Sequence, residues 1–169
     1  MIKNDSVDID KSELVIRDAN EDDIHSLMAL VQELASHEGE EITVQPAALQ
    51  HALTSGKAPE LQFIIAELAG EPIGFAMCYP GFDLGSGAHG MHLGDIVVRD
   101  EYRRQGIGKM LLSTAAQRTL KLGGEWMSFT VLHNNDSAER FYRNLNAVAV
   151  EVNFYAFGMT QLSELATLE

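Results

Sequence analysis

Apolar residues recur along this chain in two rhythms, and the switches between them outline the elements. Leu14-Val15-Ile16-Arg17 makes a short first strand. From Asn20 onward the period becomes helical. Ile24, Leu27, Met28, Val31, Leu34 and Ala35 follow i, i+3, i+4, i+7 spacing. Asn20 is a natural N-cap, and Glu21, Asp22 and Asp23 complement the positive helix end. A polar loop over 37–45 follows, and Pro46 opens a second short helix that the pattern ends near Gly56. Residues 61–68 and 73–79 read as strands joined by Ala69-Gly70-Glu71-Pro72, which predicts an antiparallel hairpin. Gly81, Gly85, Gly87 and Gly90 mark 80–90 as a long flexible loop, an element that often lines a site.

The second half alternates more regularly. Residues 92–98 form a strand ending in Ile96-Val97-Val98. A helix over 105–122 turns Ile107, Met110, Leu111, Ala115 and Leu122 inward and stops at Gly123. The next strand covers 126–132, so strand, helix and strand make a crossover with parallel neighbours. Asp136 with Glu139 opens another helix, carrying Ala138, Phe141, Tyr142 and Leu145 inward and closing at Asn146. Residues 147–157 read as a last strand, followed by a short helix after Gly158. The pattern predicts an α/β fold with a mixed, mostly antiparallel sheet and helices on both faces. Residues 1–11 read as a disordered or loosely ordered tail, and 12–169 as a single domain.

Composition narrows the partners. With 25 acidic residues against 12 basic ones, the net charge is −13, which repels phosphate backbones and argues against nucleic acid. No apolar run approaches the roughly 18 residues of a membrane span, and the polar, acidic stretch Met1 to Lys11 has no apolar h-region, so it does not read as a signal peptide. Cys78 is the single cysteine, so no internal disulfide forms, and a reducing cytoplasm is expected. Mid-strand, Cys78 reads as core rather than nucleophile. His89, His92 and His133 lack ligand spacing, so no metal is expected.

The chemistry concentrates in Ile96-Val97-Val98-Arg99-Asp100-Glu101-Tyr102-Arg103-Arg104-Gln105-Gly106-Ile107-Gly108-Lys109. A strand ends, a short turn follows, and basic and glycine residues open a helix. The first turn of a helix presents unpaired N–H groups and a positive dipole end. Glycine lets the backbone approach an anion, and Arg103, Arg104 and Lys109 add charge, which makes a pyrophosphate cradle. A P-loop is excluded, because Arg103 stands at its first glycine and Met110 follows Gly108-Lys109. The dinucleotide fingerprint fails at Leu111.

What fits is R-x-x-G-x-G at Arg103 to Gly108, which resembles the acetyl-CoA signature of the GNAT superfamily of N-acyltransferases. Downstream, Val131 to Ala147 is similar to that family's V-x-x-x-N-x-x-A-x-x-F-Y-x-x-L-G-A run. The resemblance covers about residues 13–158 and implies a sheet with a parallel, splayed strand pair. Gly74 to Tyr79, Leu93-Gly94-Asp95 and Glu101-Tyr102-Arg103 resemble the diamine branch, whose members act on spermidine, spermine or thialysine.

The resemblance also implies roles. Acetyl-CoA is the co-substrate, with its pantetheine arm along Ile96, Val97 and Val98. Its pyrophosphate is held by the N–H groups of Arg104, Gln105, Gly106, Ile107, Gly108 and Lys109, helped by the Arg103 and Arg104 side chains. Asn135 bonds the pantetheine arm, and Tyr142 is the general acid that protonates the departing thiolate. Where the diamine branch carries a glutamate base, this chain has Gly94, which leaves Asp95 as candidate base or ammonium anchor. Glu38, Glu40, Glu41 and Asp83 fall in segments that line the family's acceptor site. The expected partner is a small, cationic amine, attacked directly on the thioester in a ternary complex; a homodimer is also compatible with the family. Two rival readings remain: a protein or peptide N-acetyltransferase, and a non-catalytic acetyl-CoA-binding module.

Overall fold

The computed structural model describes residues 7, 9–39, 41–54 and 61–167, without the side chain of Glu38. Glu38 as a side chain, Glu40 and the expected helix end near Gly56 therefore lie outside the described residues. The chain divides into two compact units, Met1–Thr130 and Val131–Glu169.

The first unit is built on five strands: β1 (Leu14–Asp18), β2 (Gln62–Leu68), β3 (Glu71–Asp83), β4 (Ala88–Val98) and β5 (Trp126–Ser128). They lie in the order β1-β2-β3-β4-β5, with β4 and β5 parallel and the other pairs antiparallel. The mixed, mostly antiparallel sheet is the one expected. Helices α1 (Ile24–Glu38) and α2 (Pro46–Thr54) cover one face. There Leu27, Leu30 and Leu49 bury against Ile65, Phe75 and Val97. Alternation along the strands turns Ile64, Ala66, Ala76 and Cys78 to the other face, all fully buried. Helix α3 (Ile107–Lys121) lies against β2, β3 and β4, with Ile107, Leu111 and Ala115 buried. Met110 and Leu122, expected inward, are 38% and 60% exposed, so the apolar stripe of α3 is narrower than its composition suggests.

The glycine-rich stretch 80–90 is not a flexible loop. β3 and β4 pair through it as far as Asp83↔Ala88, leaving only residues 84–87 as a turn. Asp83 closes that turn by accepting from the N–H of Gly85 and from the N–H and Oγ of Ser86. Two of the glycines are there for room. A Cβ on Gly81 would meet His92 Nε2 at 2.6 Å and the Trp126 ring at 2.7 Å, and one on Gly90 would run into the Trp126 indole. Glycine in a strand marks close approach as readily as it marks a loop.

The second unit holds α4 (Asp136–Arg143) and α5 (Met159–Leu165). Asn135, not Asp136, caps α4, accepting from Ala138 N–H at 3.0 Å. Glu139 pairs instead with Arg143 at 2.6 Å. Asn146 takes the left-handed conformation expected of a helix stop, with φ 61°. The expected strand over 147–157 is absent among the described residues. Its alternating Val148, Val150, Val152 and Phe154 are 88, 74, 73 and 80% exposed. A strand pattern becomes a strand only when a neighbouring edge supplies its hydrogen bonds, and no strand is paired with this segment among the described residues.

Candidate active site

The site grows from the C-terminal half of β4. On one side β4 pairs with β3 along its whole length. On the other, β5 pairs only as Gly90↔Trp126, Met91↔Met127 and His92↔Ser128. The strand expected over 126–132 stops there, because β5 parts from β4 after its third residue. Residues 93–98 of β4 therefore have no partner on that side among the described residues. Val97 and Val98 are buried by their side chains and Ile96 is half-buried, so the backbone edge is what remains open. An unpaired strand edge accepts an extended arm carrying amides.

Past Val98 the chain makes a short 3₁₀ turn, Asp100–Tyr102, and enters α3. Arg103 braces this corner, donating Nε–H to the Val98 carbonyl at 2.8 Å and pairing with Asp100 at 3.0 Å. Arg104 sits at φ 61° and Gly106 at φ 91°, both left-handed. Left-handed residues of this kind occur in backbone nests, whose successive N–H groups converge on an anion. The first bond back into α3 is from Met110 N–H to the Gly106 carbonyl. The N–H groups of residues 104–109 accordingly make no hydrogen bond among the described residues. α3 has no side-chain cap and no acid in its first turn. Arg104 and Lys109 are exposed and make no ion pair among those residues. The Gln105 side chain is engaged, donating to the Val7 carbonyl at 2.6 Å.

Gly94 is an extra residue in β4. The register steps from Cys78↔Leu93 to Met77↔Asp95 across it. Tyr79↔His92 and Met77↔Asp95 are paired, so His92 and Asp95 stand on one face of the sheet, the face of Phe75 and Val97. Burial holds the half-buried Asp95 carboxyl above its ordinary value. Beside His92 lies an open cleft of about 610 Å³, whose lining includes Phe82, Asp83, His92, Glu125, Trp126 and Ser128. Neither Trp126 nor His92 was a site candidate in the sequence, where His92 was weighed only as a metal ligand. The signal that would have found them is the pair Gly81 and Gly90, whose missing side chains make room for both rings.

In the second unit, Tyr142 is buried, stacked edge-on against Phe141 at 5.0 Å, and burial pushes its phenol up to about 12. A phenol that stays protonated at every working pH is fit to donate. Asn135 has its carbonyl oxygen committed to the α4 cap, which leaves its NH₂ to donate. Cys78 is fully buried and its thiol is raised to about 11, which removes it as a nucleophile.

The profile of the Acetyltransferase (GNAT) family matches residues 24–147, most of the chain and both motif regions. The chain belongs to the GNAT acetyltransferase family. As a GNAT protein it is an N-acetyltransferase that uses acetyl-CoA. It is 31% identical to thialysine N-epsilon-acetyltransferase of Bos taurus over 144 residues, covering 79% of this chain and 84% of that one. It is 34% identical to the L-ornithine N5-acetyltransferase NATA1 of Arabidopsis thaliana over 74 residues, 44% of this chain and 32% of the relative. Among solved GNAT structures, aminoglycoside N-acetyltransferase AAC(6')-Iy in complex with CoA superposes with a TM-score of 0.72. The identity is 19%, over 86% of this chain and 95% of that one, a likeness of fold.

Proposed function

We propose that this protein acetylates the primary amine of a small cationic acceptor of the diamine or basic amino-acid type, by direct attack of the neutral amine on the acetyl-CoA thioester. The observation that carries the reading is the run of N–H groups at the start of α3 that make no hydrogen bond among the described residues, next to the edge of β4 that is unpaired among them. In this reading the pyrophosphate lies on the N–H groups of Arg104, Gln105, Gly106, Ile107, Gly108 and Lys109. The pantetheine arm pairs with the backbone of Ile96, Val97 and Val98. Arg104 adds charge directly, and Arg103 shapes the turn through Val98. The amide of Asn135 bonds the arm, and Tyr142 protonates the thiolate as it leaves. The half-buried Asp95 anchors the acceptor's ammonium or takes its proton. A backbone N–H of β4 stabilises the oxyanion. Relatives that act on thialysine and ornithine support the acceptor class.

The family match runs from residue 24 to 147, across the boundary of the two compact units, which supports reading 12–169 as a single domain. The exposed apolar residues of 148–157, with Met159, Leu162 and Leu165, favour a homodimer, and the single cysteine fits a cytoplasmic setting. The test is calorimetric titration with acetyl-CoA, followed by thiol release across thialysine, ornithine, spermidine and a basic peptide. Micromolar binding and turnover of the small amines is the expected result. Exclusive turnover of the peptide would move the enzyme to the protein acetyltransferases, and binding without turnover would make it a non-catalytic module.

A further inference from the structure

An amine acetyltransferase must remove a proton from an ammonium before attack, and position 94, on the cleft side of β4, carries no side chain to do it. We infer that His92 is the proton acceptor for the acceptor amine in this enzyme, and that the cleft between the β3–β4 turn and β5 is where the amine approaches it. The inference deepens the proposed function and rests on it.

Four observations converge on this imidazole. It sits in the last paired register of β4 and β5, where the two strands part. It is fixed on three sides: against Tyr79 at 5.1 Å, edge-on to Trp126 at 5.0 Å, and through Nδ1 to Ser128 Oγ at 2.7 Å. A side chain held by two rings and a hydrogen bond has one orientation, as a proton acceptor requires. It lines the 610 Å³ cleft together with the carboxylate residues Asp83 and Glu125, which suit a cationic ligand. Finally, Gly81 has no left-handed φ that would call for glycine, yet a Cβ there would stand 2.6 Å from Nε2. The glycine keeps the second ring nitrogen clear.

As base, His92 donates Nδ1–H to Ser128 Oγ and holds its lone pair on Nε2. The acceptor ammonium gives one proton to Nε2. The freed nitrogen lone pair forms the C–N bond to the thioester carbonyl carbon. On collapse the C–S bond breaks, the sulfur takes a proton from Tyr142, and the nitrogen's second surplus proton replaces it by way of solvent. His92 returns its proton to water. Asp95, on the same face of β4, then serves as ammonium anchor. The titratable groups around the ring are Tyr79 on β3, Asp95 on β4, and Asp83 and Glu125 at the cleft.

The test compares wild type, His92→Gln and His92→Gln/Gly94→Glu, with thermal melts to confirm folding. A glutamate at 94 can be accommodated if the flexible Met77 thioether swings aside, since its Cβ would meet Met77 Cε at 2.5 Å and Sδ at 3.3 Å, with Tyr79 Cε1 at an ordinary 3.5 Å, and it returns a carboxylate to the face of Tyr79. With thialysine, ornithine and spermidine as probes, H92Q should bind acetyl-CoA within about twofold of wild type. It should lose about 100-fold in kcat and lose the acidic limb of its kcat/KM profile. The double variant should recover about tenfold, with that limb restored. Turnover of H92Q near wild type, or a loss that leaves the shape of the pH profile intact, overturns the inference. Failure of wild type to bind acetyl-CoA instead overturns the proposed function. A wild type that binds yet turns over none of the three amines counts against the acceptor class and the base together.

Discussion

The two helices that flank the sheet begin in opposite ways. α1 is entered through a 3₁₀ turn, Glu21–Asp23, and the cap sits on that turn: Asn20 Oδ1 accepts from Asp22 N–H, and Asp23 accepts from Asn20 N–H, both at 2.8 Å. Glu21, Asp22 and Asp23 add negative charge there, and Arg17 holds the buried Asp23 carboxyl below the usual carboxylate range. That start is finished by the chain's own anions. α3 begins with Gly106 at φ 91°, no capping side chain and no acid. Both starts carry the same partial positive charge. In a chain with 25 acids, leaving one of them without an anion is a selective omission. The first start is a stability device, and the second is kept for an anion from outside.

Making α3 begin like α1 is the sharpest way to break this contrast. Gly106→Asp places a carboxylate where the pyrophosphate would lie, at some cost in backbone strain, because its φ of 91° is one that side chains rarely adopt. Acetyl-CoA affinity should fall by about 100-fold or more in calorimetry, with the circular dichroism of the protein unchanged. Tyr142→Phe separates binding from chemistry. Turnover should fall by about 100-fold while the acetyl-CoA Kd stays put, and near-normal turnover would remove the phenol from the acid role. Arg104→Ala and Lys109→Ala, which keep the backbone cradle, should each weaken acetyl-CoA by about tenfold, an effect that shrinks with added salt.

On the other helix, Asn20→Ala should cost about 1 kcal/mol in denaturant unfolding and leave the acetyl-CoA Kd unchanged. A change in Kd there would erase the distinction between the two starts. The smallest effect concerns Asp95. Because burial raises its carboxyl, the native state holds this proton more tightly than the unfolded chain does. The ionised form therefore costs stability at neutral pH, and the cost vanishes as pH falls below the ordinary carboxylate range. Asp95→Asn should raise Tm by roughly 2 °C at neutral pH and make no difference near pH ~3.

The helical periodicity of 24–35, the crossover around α3 and the sequence from Arg103 to Gly108 were legible because local spacing and backbone chemistry specify them. Two misreadings share one cause. Residues 80–90 read as a loop because glycine usually means freedom, whereas Gly81 and Gly90 answer to the rings of His92 and Trp126 on other strands. Residues 147–157 read as a strand because alternation usually means pairing, whereas pairing needs an edge the sequence does not name. His92 was overlooked as a functional group for the same reason: its partners Tyr79, Trp126 and Ser128 come from β3 and β5.

By itself, the sequence determined the helices, the family and the open helix start at Gly106, since each depends on residues within a few positions of one another. The tertiary structure decided where β4 and β5 part, which side of β4 is left unpaired after His92, and which ring stands beside the cleft. Those are matters of which distant backbones come within hydrogen-bonding reach. A one-dimensional pattern fixes the rhythm of a strand but not the neighbour on either side of it.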